Sequence, residues 1–359
     1  MTVLISFFIL LAATADSLVT DDAGATSPSV GVETFDNSVP RKHIRPTLKI
    51  SHQLDGGPWK VSDAAYPLKG QPVRLRVQNK NVSDIRWYLV FADITRIYQN
   101  ANRPRETDAY GWRGVDPIQY HRIEIAAARN QTEVNPIPHI ETLVPSIAEW
   151  MKAQGAPAWA VKFYQSTVGS FWFQVEGNID GVSCRSYGLD DVTERGISTR
   201  AFRLSVRASD DYLGWVSSFY NVPGVFGSIL YQSKNYLGAD CADVLMSAWS
   251  KWKRTKLNKN YNVQMLLGKF QRRAETVVDN GAPATEIRWN DQIAPGDLIA
   301  VRYGEKGKKF HHVGALMGDT NQNGILDGDD MIIHAGPYPL HLTPLGQGSF
   351  NGHVVVLRP

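Results

Sequence analysis

Period-two alternation confines much of this chain to antiparallel sheet. Phe202, Leu204 and Val206 alternate with Arg203, Ser205 and Arg207, and Val73, Leu75 and Val77 bracket Arg74 and Arg76. One set of side chains then faces a core and the other faces water, the pattern of a half-buried strand. Ile85–Phe91 and Phe171–Val175 are mostly apolar and read as central strands. Gly, Asn and Asp separate these short segments, so residues 46–210 read as an antiparallel β-sandwich. One helix interrupts it. Pro145 stands at a first helical position, Ile147, Trp150 and Met151 share a face, and Gly155 is the stop, with Asn135–Pro138 as a preceding loop.

The 359 residues, 43% hydrophobic, suit one large or two ordinary domains. A net charge of +3 without a long basic run gives nucleic-acid binding little support. Residues 1–15 hold an apolar run too short to span a bilayer, ending in Ala13-Thr14-Ala15, a cleavage pattern. They read as a signal peptide, which makes the protein exported, periplasmic or extracellular. Residues 16–45 read as a flexible lead-in. No later stretch is apolar enough to cross a membrane, so no integral span is expected after signal removal.

Near residue 210 the texture changes, and 211–359 read as a second domain. Tyr212–Tyr236 is rich in aromatics, more simply core than a substrate platform. Ala242, Leu245, Trp249 and Trp252 then recur at helical spacing, placing Cys241 in the first turn of a buried helix. Backbone N–H groups at a helix start stabilise a thiolate, the nucleophilic form of cysteine. The alternatives are a small buried hydrophobe, or a disulfide with Cys184, the only other cysteine; two free thiols are the preferred reading. A second helical pattern follows, with Val263, Leu266, Leu267, Phe270, Ala274 and Val277 inward and Lys269, Arg272 and Arg273 outward. Strands close the chain at Leu298–Tyr303, Val313–Met317, Met331–His334 and His353–Leu357, with a hairpin at 304–308. The fold class is therefore α+β.

Cysteine catalysis needs an imidazole base and a third group to orient it. His312 heads a strand, and His334 lies inside an apolar one, where a polar ring needs a partner. Asp240-Cys241, Pro295-Gly296-Asp297-Leu298, His312-Val313-Gly314 and Ile333-His334-Ala335 occur in that order. This succession resembles the NlpC-type family of cell-wall cysteine peptidases, which have a papain-like fold, and it covers roughly the last third of the chain. The resemblance implies Cys241 as nucleophile, His312 as general base and His334 as orienting residue. It also implies Tyr236 and Asp240 near the substrate, and the Cys241 backbone N–H in an oxyanion hole. Two departures stand close to that cleft: Ala242-Asp243 replaces the usual Ser-Gly, and the approach from Tyr236 to Cys241 is short. His311 is the rival base, and His341 the lesser rival to His334; neighbouring strand residues face opposite ways, so His311 and His312 cannot both face Cys241.

Between the two histidine strands, Asp319, Asn321, Asn323, the Ile325 carbonyl, Asp327 and Asp330 fall at the ligand spacing of an EF-hand-type calcium loop, with Gly324 at the turn. Asp330 is shorter than the usual glutamate, and the same residues suit a long polar hairpin. A structural Ca2+ is the one cofactor suggested; the chemistry itself requires none. The functional expectation is an exported cysteine hydrolase cleaving amide bonds in peptidoglycan stem peptides. The alternatives are an amidase, deamidase or transacylase acting on another substrate with the same triad, or a non-catalytic glycan- or protein-binding protein.

Overall fold

Alternating segments pair where their patterns predict, in a mixed α+β chain built on several antiparallel sheets. The computed structural model describes residues 31–35, 47–99, 118–193, 195–303 and 309–359. The expected signal peptide, most of the lead-in and the 304–308 hairpin lie outside the described residues.

The first seven-stranded sheet runs Val32–Thr34, Tyr120–Glu124, Val82–Ala92, Gly169–Ile179, Phe202–Val206, Ala64–Ala65, with Val182–Arg185 paired to Gly169–Ile179 off this path. Its middle is held by the apolar stretches: Trp87, Leu89 and Val90 face Val175, Phe173 and Trp172 across the ladder, and all are buried. A four-stranded sheet runs Lys60–Val61, Ile50–Leu54, Val73–Val77, Glu133–Val134. Part of the expected flexible lead-in is instead an edge strand. Val32–Thr34 has β-branched ends, and Glu33 accepts from the buried Arg122 guanidinium at 2.7 Å.

Among the described residues six α-helices lie between the sheets: α1 (Pro136–Ala153), α2 (Ala158–Val161), α3 (Tyr212–Ser217), α4 (Leu230–Lys234), α5 (Cys241–Trp252) and α6 (Val263–Lys269). Helix α1 begins nine residues before the expected start at Pro145, which is inside it. Asn135 caps it, accepting from Ile137 N at 3.2 Å, and Pro136 occupies the first turn, so the expected loop is a helix N-terminus. An internal proline costs about 3 kcal/mol; the buried stripe of Ile140, Val144, Ile147 and Met151 offsets it. The helix expected through Val277 stops at Lys269. Gln271–Asp279 is a strand against Gly352–Arg358, where Thr276 and Val278 are buried and Val277, expected inward, is exposed. Its β-branched run favours strand once a partner is available.

The second seven-stranded sheet is wholly antiparallel, in the order Ala282–Pro283, Gln271–Asp279, Gly352–Arg358, Leu298–Arg302, His312–Gly318, Met331–His334, His341–Pro344. Leu298, Ala300, Val313, Ala315, Ile333, Val355 and Leu357 face a core that holds α5, through Ala242, Val244, Leu245, Met246 and Ala248. Ile299, Val301, Leu316, Ile332, Val354 and Val356 face a second core with Trp289 and Phe350. The α5-side core also takes in Val90, Tyr120 and Trp172 of the first sheet, so apolar packing runs unbroken across residue 210. No helix among the described residues is long and apolar enough to cross a membrane.

Candidate functional site

The start of α5 is built by a ring of short polar contacts. The Asp240 side chain caps the helix, accepting from Asp243 N at 3.2 Å, and the Asp240 N–H donates to Ser228 Oγ at 3.0 Å. The Ser228 hydroxyl donates in turn to the Asp243 carboxylate. Cys241 is the first helical residue, partly buried, and its sulfur meets the backbone N–H groups of Val313 and Ala242. The turn after Met331–His334 lies over this helix end. Gly336 adopts φ +84°, and a Cβ there would sit 3.3 Å from Cys241 N, so only glycine suits both the backbone and the contact.

Register assembles the two histidines. Gly314 pairs with His334, and His334 with His341, so His312, two residues before Gly314, lies diagonally across from His334 on one face. A Cβ on Gly314 would come within 3.0 Å of His334 Cβ and 2.5 Å of Ile332 Cγ2. The glycine of His-Val-Gly thus makes room for the second imidazole. His312 Nε2 lies 3.0 Å from His334 Nδ1, and His334 Nε2 lies 2.8 Å from Thr343 Oγ1. With His312 donating to His334 and His334 to Thr343, His312 Nδ1 is left as a free acceptor; the tautomers are assigned from this network. Phe350 packs against both rings, with centroids 5.2 and 5.3 Å away. His311, the rival base, is exposed and stacks parallel to Tyr303 instead. His341 packs on His334 at 4.2 Å, with Nδ1 bound to Pro339 O.

Cys241 comes to the same end of the sheet from the other side. The histidines share the face of Leu316 and Ile332, whereas α5 packs on the face of Val313 and Ala315. The thiol and the His312 ring therefore lie on opposite faces of the sheet, the sulfur meeting the backbone N–H of Val313, the residue after His312. No hydrogen bond between Cys241 and His312 is formed among the described residues; catalytic contacts of this kind often close only around substrate. Cys184 is separate, buried with its thiol directed to Gly177 O at 3.2 Å, and both cysteines are free.

Electrostatics keeps this pair neutral at rest. Burial, and then the Asp240 carboxylate, push the Cys241 thiol well above its ordinary range, against the two N–H groups that favour a thiolate. The expected thiolate is thus not the resting form. Burial pushes Asp240 up to about 6 and raises Asp243 further above the usual carboxylate range, Asp240 adding to the latter. His312 is lowered to about 4 by burial and by His341, and His334 falls well below the usual imidazole value for the same reasons.

Tyr236, expected near substrate, is a core residue. It is fully buried, stacked on Phe219 at 4.0 Å, and its hydroxyl lies 2.8 Å from Ser218 Oγ, with Arg203 over its ring at 4.1 Å. The calcium-type loop satisfies itself. Asp319 accepts from Gly324 N at 2.7 Å and Asn323 N at 3.2 Å, and Asn321 donates to Asp327 at 2.9 Å. Asp330, the expected closing ligand, is fully buried and committed elsewhere: it accepts from Thr320 N, Trp289 Nε1 and Asp327 N at 2.8, 2.9 and 3.1 Å. No group of three or more His, Cys, Asp or Glu among the described residues is placed to hold a metal ion. Two features were missed by sequence reasoning. Thr343 had a weak signal, two residues after His341 on a strand. The aromatic shelf of Trp159, Phe163 and Tyr338, ending on His341 (Phe163 to His341 5.0 Å), joins segments too distant for any local pattern.

No family model matches this chain, and the searches of curated proteins and of solved structures found no match to it.

Proposed function

We propose that this chain is an exported cysteine hydrolase that cleaves amide bonds, with peptidoglycan stem peptides as substrate, and that residues 211–359 form a papain-like domain of the NlpC type behind a β-sandwich at 46–210. The observation that carries the reading is the His312–His334 contact of 3.0 Å, continued to Thr343, at the strand end where the Cys241 sulfur lies. A hydrogen-bonded imidazole pair on a sheet is costly to bury without a role, and it leaves one nitrogen of His312 free to take a proton.

In this mechanism Cys241 Sγ attacks the amide carbon while its proton passes to His312 Nδ1. The resting thiol is neutral, so transfer accompanies attack rather than preceding it. The carbonyl oxygen gains charge facing the Cys241 backbone N–H at the helix start. His312 then gives the proton to the leaving amine as the C–N bond breaks. A water, deprotonated by His312, attacks the thioester; the acid leaves and the thiol is restored. His334, anchored by Thr343, holds the His312 tautomer throughout. The substrate class comes from the motif resemblance.

Digestion of purified peptidoglycan with the wild-type protein and Cys241→Ala tests the proposal. Stem-peptide fragments released by the wild type alone are expected. Equal release by both would remove Cys241 from the chemistry.

A further inference from the structure

The far end of the Cys241 helix carries positive charge with no carboxylate partner among the described residues, its buried cations resting on the aromatic faces of Tyr66 and Tyr236. Ten residues beyond Cys241, about 15 Å along α5 at 1.5 Å per residue, Lys251 opens onto a pocket of 340 Å³ lined by Lys234, Ser247, Ser250, Lys251, Arg254, Thr255, Lys256 and Leu257. Four of these side chains are cationic and none is acidic. Behind Lys251 lies Arg203, which is buried. It donates to Ser205 Oγ, Asn235 O and Tyr66 OH at 2.9, 2.6 and 2.7 Å, and Lys251 Nζ lies 3.2 Å from the same phenol. Neither cation has a carboxylate partner among the described residues. Buried cations are ordinarily paired, because an uncompensated charge out of water is expensive.

A second observation, independent of charge, points the same way. Ser247 lines this pocket and is nearly fully buried, yet its hydroxyl has no hydrogen-bond partner. Buried hydroxyls are rarely left so. An acceptor-rich anion in the pocket would be reached by Lys251 and by the exposed Lys234, Arg254 and Lys256, and a small turn of the enclosed Ser247 side chain would add its hydroxyl as a donor. Helix α5 presents its C-terminal end here, which opposes anions by a fraction of a charge; several full positive charges outweigh it. Three or more oxygen acceptors with at least one full negative charge match this donor set, whereas a lone carboxylate would leave donors unused.

We infer that this pocket binds a phosphate-bearing anion, at a site separate from the thiol and its histidines. The pocket is independent of any catalytic role of Cys241. Calorimetric titration of the full chain with pyrophosphate tests it, with vesicles of phosphatidylglycerol as a second probe to tell a lipid phosphate from a soluble one. Saturable binding in about the millimolar range or tighter is expected for at least one probe. Arg254→Gln/Lys256→Gln should weaken it about tenfold, and Ser247→Ala several-fold with an unchanged melting temperature. The exposed control pair Lys69→Gln/Lys80→Gln, with the same change in net charge, should bind as the wild type does. Absence of saturable binding to both probes, or equal weakening by the control pair, would overturn the site.

Discussion

Replacing Asp240 by Asn should make the protein more stable at neutral pH, although it removes a charge from a helix N-terminus. Asn keeps the side-chain oxygen that caps α5 through Asp243 N, and is as good a cap as Asp. The carboxylate it replaces is largely, not fully, shielded from water. It ionises ordinarily near 3.8 and is pushed up to about 6 by burial. Between those values the folded chain keeps a proton that the unfolded chain has released, so stability is highest below the lower value and is lost as pH rises through the higher one. At about 1.4 kcal/mol per tenfold change in proton affinity, the ionised group costs the native state about 3 kcal/mol at neutral pH. Asp243 shares part of that cost, because the Asp240 carboxylate raises its affinity for protons. A gain of about 2 kcal/mol is therefore expected, or about 2–3 °C in Tm for a chain of 359 residues. Thermal unfolding followed by circular dichroism at about pH 7 and about pH 3.5 provides the assay, the gain vanishing at the lower value. Alkylation of Cys241 should also quicken at neutral pH, since the Asp240 charge is one of the causes that raise its thiol. A lower Tm for Asp240→Asn at neutral pH, or an equal rise at both, would refute the reasoning.

Three further outcomes follow from contacts already described. Thr343→Val leaves the buried His334 Nε2 without its partner at 2.8 Å; a loss of about 1–3 kcal/mol in denaturant unfolding is expected, with Thr343→Ser restoring it. Gly224→Ala would place a Cβ 2.5 Å from Pro337 O and Tyr338 C, both backbone atoms; about 1–3 kcal/mol should be lost, and under the proposed mechanism amide hydrolysis should fall alongside because the same turn covers the Cys241 helix end. Treatment with EDTA should shift Tm by less than about 1 °C, since Asp330 is already bonded to Thr320, Trp289 and Asp327; a calcium-dependent rise of several degrees would show that Asp330 turns outward to an ion.

Local periodicity was most informative where burial is one-sided. Val73–Val77 alternates in sequence and in burial; Phe202–Val206 alternates in sequence, yet Arg203 and Ser205, expected to face water, are buried too; Leu298–Arg302 is apolar on both faces, and these pack in two different cores. The Cys241 helix was legible because Ala242, Leu245, Trp249 and Trp252 recur at helical spacing; its Asp240 cap emerged only in the structure. Periodicity misled where two patterns overlap. Val263–Val277 fits a helical stripe and also contains a β-branched run, and the pairing partner that decides between them, Gly352–Arg358, lies more than 70 residues away. Pro145 read as a beginning because its cost is visible locally while the packing that offsets it is not. At the site, the order of motifs pointed to the histidine pair, whose diagonal placement depends on Gly314 having no side chain. Tyr236 could not be placed from sequence: its burial depends on Phe219 and Ser218, just after α3, and on Arg203 in a strand of the first sheet.

The unbroken apolar packing across residue 210 bears on how such a chain could be inherited or re-engineered. A modular enzyme lends its catalytic half to new neighbours by simple transplantation. Here the slab carrying the thiol shares its interior with Val90, Tyr120 and Trp172, so a graft of 211–359 would arrive with an open wound of greasy surface. The two halves must be transmitted together, or the graft needs a replacement partner shaped to the same contour.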